Sequence, residues 1–192
     1  MAEIDGVEIL AFADAGAFEE WLACHHGHTE GVWIKVAKKS SGIATVTGDE
    51  LVDVGLCYGW ISGQRRSHDE RYFLQKYVPR RAGSVWSRVN VEKVEALTAQ
   101  GRMRGPGLAE VARARADGRW AVAYAGQRTA TVPPELAAAL DADPAARAAF
   151  EALDRTGRYQ VLLPMLQARS PETRRARLER ALDVLRGAGP PG

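Results

Sequence analysis

One segment near the start of the chain shows the strict alternation of a half-buried β-strand. In residues 31–39, Val32 and Ile34 point to one side, whereas Trp33 and Lys35 point to the other. The second side is informative, because a plain solvent-facing side would carry Ser, Thr or Glu. The pattern therefore predicts a strand with an apolar face for packing and an aromatic, cationic face for recognition.

Two further strands follow, separated by a polar turn. Residues 60–66 and 71–78 have strand patterns, and the polar residues at 67–70 join them into a predicted hairpin. If this hairpin pairs beside the strand at residues 31–39, one sheet face collects most of the polar and aromatic side chains of the region. The predicted face consists of Trp33, Lys35, Trp60, Gln64 and Arg66, with Tyr72 or Tyr77.

Helix start signals flank these strands. Asp14 is placed to cap one helix, and Thr47 with Glu50 has the spacing of a capping box at the start of another. Asn90 is predicted to cap a third helix, because asparagine is among the residues preferred at that position. These signals predict helices on either side of the hairpin.

The loop at residues 79–90 combines arginines, serines and a predicted helix start. Backbone N–H groups at a helix N-terminus attract anions, and arginines add charge and donors there. A phosphate or carboxylate site and a merely solvated helix cap are both consistent with this composition. The candidate ligand-binding residues of the loop are Arg80, Arg81, Ser84, Trp86 and Asn90.

Hydrophobic periodicity becomes entirely helical after Pro133-Pro134. Asp143-Pro144 and Ser170-Pro171 each have the form of an N-cap followed by an N1 proline. The predicted fold class is therefore α+β, with a small antiparallel sheet and flanking helices in the N-terminal part and an all-helical C-terminal part. We divide the chain into an α+β domain at residues 1–126, which carries the site, and a helical segment at residues 127–192 packed on it.

The composition is that of an ordinary globular chain of 192 residues, with a net charge of +2. Basic and acidic residues nearly balance, so nucleic-acid binding would need a local basic patch and ranks third among our hypotheses. No stretch approaches the roughly 20 apolar residues of a membrane span, and no signal peptide is recognisable. We therefore expect a cytoplasmic protein without a membrane-spanning segment.

Cysteine and histidine spacing favours neither a metal site nor a disulfide framework. Cys24 lies next to three histidines in residues 25–28, but zinc sites usually draw their ligands from two separated pairs. Cys57 is predicted in the last turn of a buried helix, away from the positive helix end that would lower a thiol pKa. The sequence therefore predicts no metal and no cofactor.

No familiar catalytic or nucleotide-binding motif occurs in the chain. It lacks the dinucleotide-binding glycine pattern, the phosphate-binding loop, the zinc-protease histidine pattern and the serine nucleophile elbow. His68-Asp69 is the one acid–base pair of the region, and adjacent residues in a turn usually diverge. The sequence does not decide whether the protein is an enzyme. The candidate catalytic residues, if it is one, are Asp69, Tyr72, Arg66 and Cys57.

Several short motifs occur together in an order that is typical of one known family. They are Gly31-Val-Trp-Ile-Lys-Val-Ala-Lys-Lys-Ser-Ser-Gly42, Leu56-Cys-Tyr-Gly-Trp-Ile-Ser-Gly-Gln-Arg-Arg66, Pro79-Arg-Arg81, Ser84-Val-Trp-Ser87, Gly101-Arg-Met103, Gly118-Arg-Trp120 and Pro171-Glu-Thr-Arg174. With these motifs the chain resembles the YdeI/OmpD-associated, or bacteriocin-protection, family over residues 18–185. The resemblance implies a link to antimicrobial resistance and supplies no catalytic residue set. Ser62 stands where an acidic Asp is common in the family, which implies altered chemistry or an altered ligand.

Three hypotheses about function follow from the residues and the resemblance. The first is a small-molecule binding protein that takes an anionic or planar aromatic ligand and serves antimicrobial or stress resistance. The alternative is an enzyme that acts on a small organic substrate in the same pocket, and the third is nucleic-acid binding by the basic face. The predicted ligand-binding residues are Trp33, Lys35, Trp60, Gln64, Arg65, Arg66, Tyr72, Arg80, Arg81, Ser84, Trp86 and Asn90.

Overall fold

The computed structural model describes residues 3–187, which fall into two compact units. The first unit runs to Trp86 and continues over Asn90–Val122. The second unit consists of Ser87–Val89 and the chain from Ala123 onward. The sequence predicts a division after residue 126, and the compact units divide after Val122.

The first unit contains a five-stranded sheet. Its strands are β1 (Glu3–Ile4), β2 (Val7–Leu10), β3 (Val32–Ala37), β4 (Trp60–Ser67) and β5 (Tyr72–Pro79). The strand order is β1-β2-β3-β5-β4, so β4 lies at an edge of the sheet. The β4–β5 hairpin is antiparallel and β5 is the strand that pairs with β3, which confirms the predicted hairpin.

The α+β class is confirmed, although the sheet is mixed rather than antiparallel. Strands β2 and β3 pair in parallel, with Ile9 opposite Trp33. A parallel pair needs a crossover connection, and helix α1 (Ala15–His25) supplies it. The sequence prediction of an antiparallel sheet was wrong at this one pairing, because the short β2 segment alone carries no signal of its partner's direction.

Four helices accompany the sheet in sequence, and their starts follow local chemistry. They are α1, α2 (Gly48–Cys57), α3 (Arg88–Ala99) and α4 (Gly105–Ala116). Asp14 accepts a hydrogen bond from the Ala17 N–H, and Thr47 with Glu50 forms the complete capping box. Both predicted caps are therefore confirmed. Helix α3 begins at Arg88, so the prediction of Asn90 as its cap was wrong and Asn90 lies in its first turn.

One face of the sheet forms the core of the first unit with α1 and α2. Phe18 of α1 packs edge-on against Tyr77 of β5, with ring centroids 5.7 Å apart. Ile34 and Leu51 are completely buried. Each fully buried side chain of this size stabilises the fold by about 1.5–3 kcal/mol.

The second unit contains four helices: α5 (Pro134–Ala142), α6 (Pro144–Ala152), α7 (Arg155–Leu166) and α8 (Pro171–Leu185). Asp143 accepts from the Ala146 N–H at the start of α6, and Ser170 accepts from the Thr173 N–H at the start of α8. The two predicted N-cap and proline pairs are thus confirmed. The core of this unit consists of Leu136, Leu140, Ala146, Phe150, Leu162, Met165 and Leu185.

No helix within residues 3–187 is both long enough and apolar enough to cross a membrane.

Candidate functional site

A β-bulge in β4 decides which side chains share a sheet face. Ser62 lies opposite Tyr77 and Arg65 lies opposite Gln75, so β4 contains one residue more than β5 between these pairs. The extra residue shifts the alternation of β4. Trp60 and Arg66, although an even number of residues apart, therefore point to opposite faces of the sheet.

The predicted composition of the face is corrected at Trp60, and the open choice between Tyr72 and Tyr77 is decided in favour of Tyr72. Trp60 and Tyr77 lie on the helix-packed face, where each is 1% exposed. Trp60 donates its indole N–H to the His26 carbonyl at 2.9 Å and packs edge-on against Trp21. The prediction that Trp60 lies beside Trp33 was wrong, because regular alternation does not hold across a bulge.

The opposite face brings together four of the predicted ligand-binding residues and one residue that the sequence analysis missed. In the pairing of β3 with β5, Trp33 lies opposite Lys76 and Lys35 lies opposite Leu74. In the pairing of β4 with β5, Arg66 also lies opposite Leu74. We call this surface the cationic face and define it by Trp33, Lys35, Arg66, Tyr72 and Lys76. Lys76 could have been found from its even spacing to Tyr72, which is the strand period.

Trp33 lies on the middle strand of the sheet and is 1% exposed. The guanidinium carbon of Arg66 is 5.1 Å from the centroid of the indole ring, and Lys76 Nζ is 5.7 Å from it. Val7 and Leu74 pack with the ring in a small apolar cluster. The indole N–H is buried and has no hydrogen-bond acceptor among the described residues, a situation that costs about 1–3 kcal/mol.

The remaining cation of this face lies over the second aromatic ring. Lys35 Nζ is 4.2 Å from the centroid of the Tyr72 ring. Arg66 has one carboxylate partner, Asp5, at 3.1 Å, and both side chains of that pair are well exposed. Exposed pairs of this kind contribute about 0–1 kcal/mol. The cationic face therefore holds three positive charges that are weakly neutralised.

Arg65 and Gln64 are close in sequence to the cationic face but have other roles. The guanidinium carbon of Arg65 is 3.6 Å from the centroid of the Phe73 ring. Its pairing opposite Gln75 places Arg65 on the face opposite to Arg66. The side-chain amide of Gln75 donates to the carbonyl of Gln64 at 3.1 Å, and so supports the bulge.

Arg80 and Trp86, two predicted loop ligands, form a buried stack. The Arg80 guanidinium carbon lies 3.6 Å from the centroid of the Trp86 ring, and the two residues are 7% and 2% exposed. Arg80 Nη1 donates to the Val85 carbonyl at 3.3 Å. The stack therefore holds the loop together from inside.

The serine of the predicted anion loop is also engaged within the protein. Ser84 Oγ accepts a hydrogen bond from the Arg81 N–H at 3.1 Å and closes the turn. The Ser84 carbonyl accepts from Arg119 Nη1 at 2.8 Å. The structure does not bring Ser84 and Asn90 together as paired anion donors at a helix start, because α3 begins between them at Arg88.

A buried ion network next to this loop was missed by the sequence analysis. Arg119 Nη1 lies 3.1 Å from Glu110 Oε1, and both side chains are almost fully buried. Arg113 and Asp117 extend the network to the surface at 2.6 and 2.7 Å. Burial opposes the charge of Arg119, but hydrogen bonds to Asp117 and Glu110 outweigh burial and raise its pKa. In the sequence, only the Gly118-Arg-Trp120 motif signalled this region.

The candidate catalytic residues divide between three places. Tyr72 and Arg66 lie on the cationic face. Asp69 accepts the N–H groups of Arg71 and Tyr72, each at 2.8 Å, and so shapes the hairpin turn. Desolvation opposes ionisation of Asp69, but these hydrogen bonds, with His68 and Lys35, prevail and lower its pKa. The turn thus favours the ionised form of this carboxylate.

Cys57 lies in the core at the end of α2. It is 3% exposed, and burial raises the pKa of its thiol. A raised pKa reduces the thiolate fraction that a nucleophile requires. Within residues 3–187, no group of three or more His, Cys, Asp or Glu side chains could hold a metal ion.

Two family models match the chain. Residues 10–110 match the model described as Domain of unknown function (DUF8412), which covers more than half of the chain. The chain belongs to the DUF8412 family. Residues 129–187 match the model described as Bacteriocin-protection, YdeI or OmpD-Associated (OmdA). All five residues of the cationic face lie in the DUF8412 match.

The predicted resemblance to the YdeI/OmpD-associated family is confirmed, over part of the chain. Of the motifs that carry the resemblance, Pro171-Glu-Thr-Arg174 lies inside the OmdA match. The motifs at residues 31–42 and 56–66 lie inside the DUF8412 match instead. No curated protein and no solved structure matches the chain significantly.

Proposed function

We propose that the protein binds a small anionic ligand on the cationic face and serves as a binding protein in resistance to antimicrobial agents. One observation carries this proposal: the buried indole N–H of Trp33 lacks an acceptor while Arg66 and Lys76 lie close to the same ring. A ligand oxygen that reached this N–H would complete its hydrogen bond beside two positive charges.

The charge balance of the face supports an anion in particular. Among the described residues, no carboxylate lies within salt-bridge distance of Lys35 or Lys76. The covering side chains of Arg66 and Lys76 are long and flexible, so they can move aside and then close over a bound anion. Of the two ligand classes in the sequence-based hypothesis, the geometry therefore supports an anionic ligand more than a planar aromatic one.

A stacked planar ligand receives less support from the same geometry. The Trp33 ring is 1% exposed, and Lys35 already lies over the Tyr72 ring. Stacking on single-stranded nucleic acid would also need an open aromatic surface. We therefore place a compact anion ahead of an aromatic compound and ahead of nucleic acid.

The resistance part of the proposal rests on the description of the OmdA family that residues 129–187 match. A cationic peptide would be repelled by three positive charges on one face, so direct capture of such a peptide by this surface is disfavoured. We infer that the relevant ligand is an anionic small molecule whose binding contributes to protection.

Isothermal titration with inorganic pyrophosphate tests the binding of a compact anion. We expect binding by the unaltered chain and about tenfold weaker binding by Lys76→Ala or Arg66→Ala, because each removes a charged hydrogen-bond donor. The matched control is Arg175→Ala, which removes one exposed positive charge on α8. Parallel titrations use 2-naphthoate and an oligothymidylate as probes for the two other ligand classes.

Equal weakening by Arg175→Ala and Lys76→Ala would contradict a local site and indicate general electrostatics. Tighter binding of the oligothymidylate, with affinity that falls steeply as salt rises, would favour nucleic acid instead. Absence of binding by all three probes would reject the proposed function.

A further inference from the structure

The second unit contains a groove that the proposed function does not use. It lies between α6, α7 and α8 and has a volume of about 660 Å³. This volume falls in the range of roughly 300–1,000 Å³ that is usual for small-molecule sites. Apolar side chains from all three helices line it, including Leu153, Val161 and Leu185.

Small residues from all three helices are among those that line the groove. Ala149 of α6, Gly157 of α7 and Ala181 of α8 all line it. Val184 also lines the groove and is 48% exposed. An apolar ligand that covered Val184 would remove this surface from water.

Positive charge is concentrated on one wall of the groove. Arg177 and Arg180 both line it, and its lining residues include no carboxylate. Arg177 donates through Nη1 to the carbonyl of Pro164, and this contact fixes its stem against α7. Arg180 has neither a hydrogen bond nor a salt bridge to another residue within 3–187. One guanidinium is therefore anchored while the other is available to a ligand.

We propose that this groove binds a single-chain amphiphile with an anionic head, of the fatty carboxylate class. The apolar walls would hold the chain, and Arg180, assisted by Arg177, would bind the head by charge-assisted hydrogen bonds. This site lies outside the cationic face and takes a different class of ligand, so it extends beyond the function proposed above.

The position of the tryptophans separates the two proposals experimentally. All five tryptophans lie at or before residue 120, so none belongs to α6, α7 or α8. In spectra of the full chain, the backbone amide shifts of α6, α7 and α8 therefore report on the groove, whereas the indole N–H shift of Trp33 reports on the cationic face. Decanoate that binds as proposed shifts amides of α7 and α8 and leaves the Trp33 indole unmoved.

The test is a titration of the full chain with decanoate, decanol and decyltrimethylammonium, which share one chain and differ in head charge. We expect decanoate to bind at least about tenfold more tightly than the other two. Arg180→Ala should remove most of this preference, while Arg180→Lys should retain part of it and Arg175→Ala should leave it unchanged. Ala181→Phe should weaken all binding by filling the groove.

Four results would overturn the proposal. Equal affinities for decanoate and decanol would show that the anionic head does not contribute to binding. Undiminished decanoate binding by Ala181→Phe, with a native thermal melt, would place the ligand elsewhere. Shifts confined to the Trp33 indole and strand β3 would assign decanoate to the cationic face, and absence of any shift would exclude a site of this class.

Discussion

Two of the arginine–tryptophan contacts in the first unit have different surroundings. At the cationic face, Arg66 is 44% exposed and lies 5.1 Å from the Trp33 ring centroid. In the loop before α3, Arg80 is 7% exposed and lies 3.6 Å from the Trp86 ring centroid. The same pair of residue types can therefore face a ligand or support a fold.

The neighbours of each arginine explain this difference. The Arg80 and Trp86 stack adjoins the Glu110–Arg119 ion pair, in which Arg119 also donates to the Ser84 carbonyl of the same loop. The cationic face has one exposed carboxylate, Asp5, beside Arg66. Removal of one partner of a buried ion pair is strongly destabilising, whereas an arginine whose carboxylate partner is exposed can exchange that partner for an anion at little cost.

Removal of Arg119 is the strongest way to test the structural half of this comparison. Arg119→Ala would leave the buried Glu110 carboxylate without its buried guanidinium partner, while the exposed Arg113 stays 2.6 Å from it. We expect the free energy of unfolding to fall by about 3–5 kcal/mol, measured by urea denaturation. Arg66→Ala is the matched variant of the cationic face, and we expect a loss below about 1 kcal/mol. Equal losses in the two variants would break the distinction between the regions.

Replacement of Trp33 tests whether the cationic face binds an anion. Trp33→Phe removes the indole N–H that lacks an acceptor, and this gain offsets part of the lost ring volume. We expect the free energy of unfolding to change by no more than about 1 kcal/mol, while pyrophosphate binding weakens. Trp86→Phe in the loop is the control, and it should leave pyrophosphate binding unchanged. A large loss of stability without any loss of binding would make Trp33 a core residue only.

The smallest expected effect concerns the hairpin turn next to the cationic face. The pKa of Asp69 is lowered in the folded state, so its ionised form stabilises the turn above the ordinary carboxyl pKa of 3.8. This stability is lost as pH falls below 3.8 through the folded-state pKa. Asp69→Asn should therefore reduce the pH dependence of unfolding in that acid range. The measurement is a series of urea unfolding curves of both proteins at different pH values. An equal loss of stability in acid by Asp69→Asn and the unaltered chain would contradict the prediction.

The candidate site was predictable in part. Trp33, Lys35, Arg66 and Tyr72 share a face as alternation and the hairpin predict, and Lys76 follows from the same period. Trp60 lies on the other face, because the bulge between Ser62 and Arg65 shifts the alternation. Gly63 in the middle of the strand was the signal of that bulge, and the sequence analysis did not use it. Glu110 was missed because its buried partner, Arg119, comes from outside its helix.

The sequence by itself determined the features that depend on a few neighbouring residues. The caps at Asp14, Thr47, Asp143 and Ser170 all form as predicted, because each side chain accepts from a backbone N–H three residues away. The α+β class follows from hydrophobic periods that are equally local.

Only the tertiary structure decided the parallel β2–β3 pairing, the face on which each arginine lies, and the burial of Arg80 and Arg119. These features depend on partners that are distant in sequence, such as β3 for β2 and Glu110 for Arg119. A guanidinium has the same chemistry in water and in a core, so its role follows from the groups that surround it once the chain has folded.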